Sequence, residues 1–237
     1  MTDLLGAPVE AAAVFGPALP LLERYAGLLA GPGVERGLLG PREAPRLWER
    51  HLLNCAGLAE LLAPGQVVAD LGSGAGLPGI VLAAMRPDVT VVLIEPLLRR
   101  ATFLQQAVAE LGLRTVVVRR ARAEELAGRL VVDCVTARAV APLDRLAGWA
   151  LPLLSPGGRL LAVKGERAEG ELAGAGAALE AAGASAAEVV TVGTGRTEAR
   201  VVVVTRGARV VPAARSAARP SVRPGGIAAT GKRRNRP

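Results

Sequence analysis

Between residues 66 and 205 the chain repeats one rhythm, a short Val-rich run followed by a turn and a helical stretch. The runs read as strands near 66–71, 90–95, 114–119, 131–137 and 158–164, and helical periodicity fills 78–85, 97–111, 123–128, 141–153 and 167–182. Strands apolar on both faces and separated by helices predict a parallel sheet covered on each side. The rhythm breaks once. Runs at 188–192 and 199–205 are joined only by "GTGRTE", too short for a helical crossover, so they must form an antiparallel hairpin. The expected fold class is α/β, a Rossmann-like doubly wound sheet ending in a hairpin. Residues 7–63 read instead as helices interrupted at "GPGVERGLLGPRE", and "RLWERHLLNCAGLAELL" places Leu47, Leu52, Leu53, Leu58, Leu61 and Leu62 along one apolar face. The chain thus divides into an N-terminal helical region (1–64), a sheet core (65–206) and a tail (207–237).

The first strand runs into "VVADLGSGAGLPGI", which places Gly72, Gly74, Gly76 and Gly79 in eight positions. Glycine gives up backbone entropy at each, and the usual return is a tight turn or a ligand lying against bare peptide. In a doubly wound sheet that ligand sits beyond the carboxyl ends of the central strands, so Asp70 to Gly76, Glu95 and Thr136 to Arg138 should face one crevice. Glu95 closes "TVVLIE" 23 positions after Gly72, where its carboxylate can accept both hydroxyls of a ribose. NAD and S-adenosylmethionine (AdoMet) both carry such a ribose. The match of "GAGLPG" to GxGxxG keeps an NAD(P)-dependent oxidoreductase as the alternative, although its first glycine falls four residues past Asp70 and Pro78 occupies a middle position. Read from Asp70 as DxGxGxG, the loop wraps a ligand without phosphate. A parallel sheet closing on a hairpin is also the arrangement of the class I AdoMet-dependent methyltransferases. No GxxxxGK occurs, which excludes a P-loop.

The acceptor narrows by elimination. Exocyclic-amine methylation favours an Asn/Asp-Pro-Pro-aromatic stretch after the fourth strand, and here that place reads "TARA", residues 136–139. Carbon-5 pyrimidine chemistry needs an accessible thiolate, whereas Cys134 lies inside the strand "VVDCVTA". Metal assistance wants a carboxylate or histidine cluster. The only histidine is His51, and Cys55 and Cys134 lie 79 positions apart, so neither a metal nor a disulfide is indicated. An acceptor that is already nucleophilic remains, such as guanine N7 with its in-plane lone pair, and it demands alignment more than a base.

The net charge of +8 is local: nine of the 29 Lys+Arg lie from Arg206 onward with no acid among them, leaving 20 against all 21 Asp+Glu. A Pro-punctuated polycation of this kind is expected to be disordered and to bind phosphate backbones without reading sequence, or else to be a solvated tail with no partner. No run of 18 uncharged apolar residues and no basic leader are found, so a cytoplasmic chain with no membrane partner is expected.

In order, "RGLLGPREAPRLWERHLLNCAGL", "DLGSGAGLPGI", "IEPLLRRATFLQQ", "ARAEEL" and "DCVTARAVAPL" resemble the bacterial small-subunit ribosomal RNA guanine-N7 methyltransferase family, RsmG or GidB, across about residues 6–205. The resemblance implies AdoMet-dependent methylation of one loop guanine of 16S rRNA near the decoding region, by a monomer acting on 16S rRNA or the small ribosomal subunit; a methyltransferase of another RNA is the nearest rival. It implies a donor site that includes Gly72, Leu77, Ala123, Glu124 and Arg138, to which position in the fold adds Asp70, Gly74 and Glu95. The family often carries aspartate where Glu95 stands, and the tail is outside its common core. Arg138 and Lys164, which ends the fifth strand and is one of two lysines among 29 cations, are the candidate catalytic residues. Arg50, His51, Arg99 and Arg100 are the candidate RNA contacts. Aromatic residues make up 2% of the chain, so Trp48, Tyr25 or an arginine plane would have to stack on a splayed guanine.

Overall fold

The computed structural model describes residues 6–208; all but the first two residues of the basic tail lie outside them. Within that span seven strands form one sheet in the order β3-β2-β1-β4-β5-β7-β6. They are β1 (Val67–Leu71), β2 (Thr90–Ile94), β3 (Val116–Arg119), β4 (Val132–Arg138), β5 (Leu154–Val163), β6 (Ala184–Val192) and β7 (Ala199–Arg206). The first five run parallel, and β7 lies antiparallel between β5 and β6, as the short connection at 193–198 requires. Chain order reverses between β1 and β4, and the crevice opens there.

Strand alternation splits the core. Val68, Val91, Leu93, Cys134, Leu161 and Val203 face one side, together with α4 (Gly79–Met85), α5 (Leu98–Leu111) and the N-terminal helices α1 (Val9–Phe15), α2 (Leu19–Leu28) and α3 (Asn54–Ala56). Ala69, Leu71, Ile94, Val135, Leu160 and Val204 face the other side, under α7 (Leu143–Ala150) and α8 (Ala168–Ala181), with the short α6 (Ala123–Leu126) at its rim. Both free cysteines are buried in this apolar packing, which pushes the Cys55 thiol up to about 11 and the Cys134 thiol up to about 12. Neither can serve as a thiolate nucleophile near neutral pH.

The N-terminal region is built onto the sheet. After α2 the chain passes through a π turn (Trp48–Leu53), α3 and a 3-10 turn (Gly57–Leu61). The last carbonyls of that turn accept from arginines of the core: Arg86 donates to Ala59 O at 3.0 Å and Leu62 O at 2.6 Å, and Arg159 donates to Leu61 O. Gly57 lies so close to the β6–β7 connection that a Cβ would meet Gly193 N at 2.9 Å. One expectation fails here. Tyr25 is fully buried and Trp48 is 6% exposed against Phe15, so neither can stack on a flipped base. β6 also begins four residues before the expected strand, because its alanines extend the ladder with β7 to Arg206 although they carry little strand signal of their own.

Two glycine substitutions should move stability in opposite directions. A Cβ at Gly79 would sit 2.3 Å from Leu93 Cδ2 and 2.7 Å from Asp70 Oδ2, whereas Gly170 on the exposed face of α8 has open space around it. Gly79→Ala is expected to destabilise by about 1–3 kcal/mol. Gly170→Ala should stabilise by roughly 0.4–1 kcal/mol. Denaturant titration of both variants checks the pair.

Candidate active site

The crevice starts with a buried acid. Asp70, at the end of β1 on the α4 side, has no solvent exposure. Its Oδ2 accepts from Gly79 N–H at 3.1 Å, at the start of α4, and its Oδ1 from the hydroxyl of Thr136, its ladder neighbour on β4, at 3.2 Å. Ser73 donates back to the Asp70 carbonyl at 2.8 Å. Burial raises the Asp70 carboxyl from 3.8 to about 7, against the lowering effect of these hydrogen bonds. The acid therefore shapes the turn from beneath.

Above it the glycines do separate jobs. Gly76 (φ +104°) lies under Tyr25, where a Cβ would meet Ile80 Cδ1 at 2.5 Å and the Tyr25 hydroxyl oxygen at 2.8 Å, and Tyr25 donates to Ala75 O at 2.7 Å. Gly72 (φ +64°) faces Val140, whereas Gly74 (φ +58°) has nothing closer than Gly72 O at 3.7 Å on its Cβ side. Gly72 and Gly74 are the half-buried positions of the turn, and at Gly74 the turn presents bare backbone. Glu95, 2% exposed, grips it: Oε2 accepts from Gly74 N–H and Oε1 from Leu97 N–H, each at 3.0 Å, and Arg100 stands 3.9 Å away. A carboxylate has about four lone-pair sites, so two remain for ligand hydroxyls.

Beside this turn lies a slot of about 200 Å³, lined by Leu71, Gly72, Ile94, Pro96, Ala121 to Glu124, Val140 and Trp149. It is mostly apolar and below the roughly 300–1,000 Å³ of drug-sized sites, a space suited to one planar ring system. Of the expected donor residues, Gly72, Ala123 and Glu124 line it, and Gly74 and Glu95 form the adjoining turn. Asp70 lies beneath, and Leu77 is 8% exposed and packs into the core below the loop. Pro96, Val140 and Trp149 escape sequence reading, because an apolar residue on a loop or helix looks the same whether it faces a core or a slot.

Arg138 ends β4 and borders two further cavities, of about 540 Å³ and about 380 Å³. It donates to Arg50 O at 3.2 Å and meets His51 Nδ1 at 3.0 Å, while His51 Nε2 meets a Glu43 carboxylate oxygen at 2.9 Å. Guanidinium cannot accept, so Nδ1 carries the lone pair and His51 is the neutral Nε2–H tautomer donating to Glu43. Burial, then Arg138, holds His51 below its ordinary value. The residue after Arg138, Ala139, takes φ +56° and turns the chain sharply into Val140 at the slot. Lys164 borders the smaller cavity but is committed, donating to Ala141 O at 2.6 Å and pairing with Glu171 at 2.7 Å. Arg50 pairs with Glu43 at 3.5 Å beside His51, whereas Arg99 lies at Gly37 and Arg100 at Glu95. The structure thus brings Arg50, His51 and Arg138 together and sets Arg99 and Arg100 apart from them. Among the described residues no cluster of His, Cys, Asp and Glu could hold a metal, and no helix is long and apolar enough to cross a membrane.

A family model described as GidB, rRNA small subunit methyltransferase G, matches residues 18–201. The chain belongs to the GidB family. Curated members include the ribosomal RNA small subunit methyltransferase G of Thermobifida fusca, 56% identical over 204 residues and covering 86% of each chain. The Mycolicibacterium gilvum protein of the same name is 59% identical over 185 residues, covering 77% of this chain and 81% of that one. Fold alone is shared with more distant methyltransferases. The magnesium protoporphyrin IX methyltransferase of Synechocystis, solved with bound SAM, has 17% identity and a TM-score of 0.51, covering 78% of this chain and 96% of its own. The SAM-dependent O-methyltransferase of Thermotoga maritima has 18% identity and a TM-score of 0.50, covering 66% of this chain and 65% of its own. This GidB chain has the class I methyltransferase fold preceded by N-terminal helices.

The Asp70 environment has a measurable consequence. Between 3.8 and about 7 the folded chain holds a proton that the unfolded chain releases, so the stability from this group is complete below pH 3.8 and is lost as pH rises toward 7. A shift of that size corresponds to at most on the order of 4 kcal/mol. Asp70→Asn cannot titrate. Its stability relative to wild type, measured by chemical denaturation from about pH 4 to about pH 7, should therefore improve steadily with pH.

Proposed function

We propose that this chain transfers a methyl group from AdoMet to N7 of a guanine in 16S ribosomal RNA, as a cytoplasmic monomer acting on the small subunit. The observation that carries the donor assignment is the join of an apolar slot to a bare glycine turn held by Glu95. The residues fit this donor: the slot takes the purine between Ile94, Pro96, Ala121, Val140 and Trp149, Glu95 takes the ribose hydroxyls, and open backbone at Gly74 leaves room for an aminoacyl chain. Arg138 uses two of its five N–H donors on the protein, leaving others for the methionine carboxylate. A dinucleotide fits worse. Its pyrophosphate would seek the amides at the start of α4, and the Asp70 carboxylate already occupies that of Gly79.

AdoMet, when bound, supplies a methyl group made electrophilic by an adjacent sulfonium. The guanine N7 lone pair attacks that methyl, the C–S bond breaks with its electron pair going to sulfur, and the purine becomes cationic. No proton leaves N7, so the chain needs no general base, in keeping with a site where Lys164 is tied to Glu171 and both cysteines are buried thiols. The contribution of the residues is alignment, from Arg138 and the strained Ala139 at the meeting of the cavities. GidB membership and the names of the relatives support the ribosomal RNA substrate. The cations from Arg206 onward supply a sequence-blind attraction to its phosphates.

Calorimetry tests the donor. AdoMet should bind and NAD should not, and Glu95→Gln should weaken AdoMet by about tenfold or more, since a hydrogen bond to a charged group is worth roughly 1.5–3 kcal/mol. Binding of NAD in place of AdoMet would overturn the assignment. Arg138→Ala should lose methyl transfer to small subunits that lack the mark; a fully active variant would remove Arg138 from the site.

A further inference from the structure

The cavity of about 540 Å³ has a composition that the donor does not explain. It opens at the carboxyl rim of β4 and β5, between His51 and Asn54 of the N-terminal region, Arg138, the turn after β5 and the start of β7. It adjoins the slot along the chain. Arg138 and Ala139 border the cavity and the next residue, Val140, borders the slot, while the cavity of about 380 Å³ borders all three. Its size is within the roughly 300–1,000 Å³ range of small-molecule sites and accommodates one extruded nucleotide.

The polar groups on its wall are not equivalent. Arg138 is held by His51 and the Arg50 carbonyl, and Arg200 pairs with Glu169 at 3.2 Å. Glu166, two residues after Lys164, has no side-chain hydrogen bond or ion pair among the described residues; the Glu198 carboxylate across the cavity has none either, but its residue is tied through its carbonyl to Asn54. The neighbouring cavity of about 380 Å³ differs on this point, because its Lys164 and Glu171 satisfy each other and the backbone of Ala141 and Leu143.

A carboxylate accepts and never donates, so it pairs with a ligand edge that offers two adjacent donors. Guanine alone among the RNA bases presents such an edge, N1–H beside the N2 amino group. Adenine presents the N1 lone pair there and would be repelled. A guanine gripped by that edge also points its imidazole ring, with N7, away from the carboxylate.

We infer that this cavity is the acceptor pocket and that Glu166 selects guanine by accepting from N1–H and the N2 amino group. The inference rests on the guanine-N7 reading and adds the residue that discriminates the base. Glu166 takes no part in the donor site and its side chain makes no hydrogen bond or ion pair among the described residues, so the isosteric Glu166→Gln keeps the fold and AdoMet binding while turning one acceptor into a donor opposite guanine's donors.

The test uses the full chain, AdoMet, and small subunits reconstituted with 16S rRNA carrying guanosine or inosine at the target position; inosine lacks the N2 amino group. Wild type should prefer guanosine by at least about tenfold in kcat/KM, the scale of a hydrogen bond to a charged group. Glu166→Gln should lose about tenfold or more on guanosine, with that preference collapsing toward one and with unchanged melting temperature and AdoMet affinity. A variant with wild-type kcat/KM and undiminished preference overturns the pocket assignment. A wild-type chain that binds AdoMet but methylates neither RNA overturns the guanine reading itself, and the pocket assignment with it.

Discussion

The carboxyl group of Asp70 sits where β1, β4 and α4 meet, dry and with a hydrogen bond to each oxygen. Burying an acid there is costly, as its raised pKa records, and the cost is offset by three elements held in one geometry. Because Oδ2 takes the first amide of α4 and Oδ1 the hydroxyl of Thr136, the turn between β1 and α4 has no freedom to collapse into the crevice. The open backbone at Gly74 follows from that restraint, and so does the reach of its N–H to Glu95. The same carboxylate removes the anion-binding character of the α4 N-terminus, which separates this glycine turn from those that bind pyrophosphate.

The N-terminal helices complete the site. Tyr25 clamps the glycine turn from above through Ala75 O, and the π turn at Trp48–Leu53 carries Arg50 and His51 to Arg138. The glycine turn and the Arg138 cavities are thereby braced by one region that the sheet alone lacks. Glu43 fixes the His51 tautomer that Arg138 requires, so the guanidinium at the junction of the cavities is aimed by a chain of two side chains.

Strand positions were legible because Val-rich runs in a doubly covered parallel sheet stand out from helical periodicity, and the six-residue connection at 193–198 left no choice but a hairpin. Asp70 and Glu95 were legible as acids at strand ends facing a crevice. What the sequence hid depended on tertiary packing. Burial of Tyr25 and Trp48 is decided by α4 and Phe15, elements distant in sequence, so an aromatic that looked free to stack is a core residue. Lys164 stood out by its rarity, but its partner Glu171 is on a helix whose sequence does not show which face meets β5. Glu166 beside it carries no sequence signal, since only the cavity distinguishes it from any solvated acid.

Slot, glycine turn and cavities together serve one event, a methyl group arriving at a guanine N7 of the small-subunit RNA. Mass-spectrometric mapping of 7-methylguanosine along 16S rRNA, from cells with and without this chain, measures it. One fully modified guanosine should lose its mark when the chain is removed and regain it on complementation. Identical maps from both cells would contradict the account.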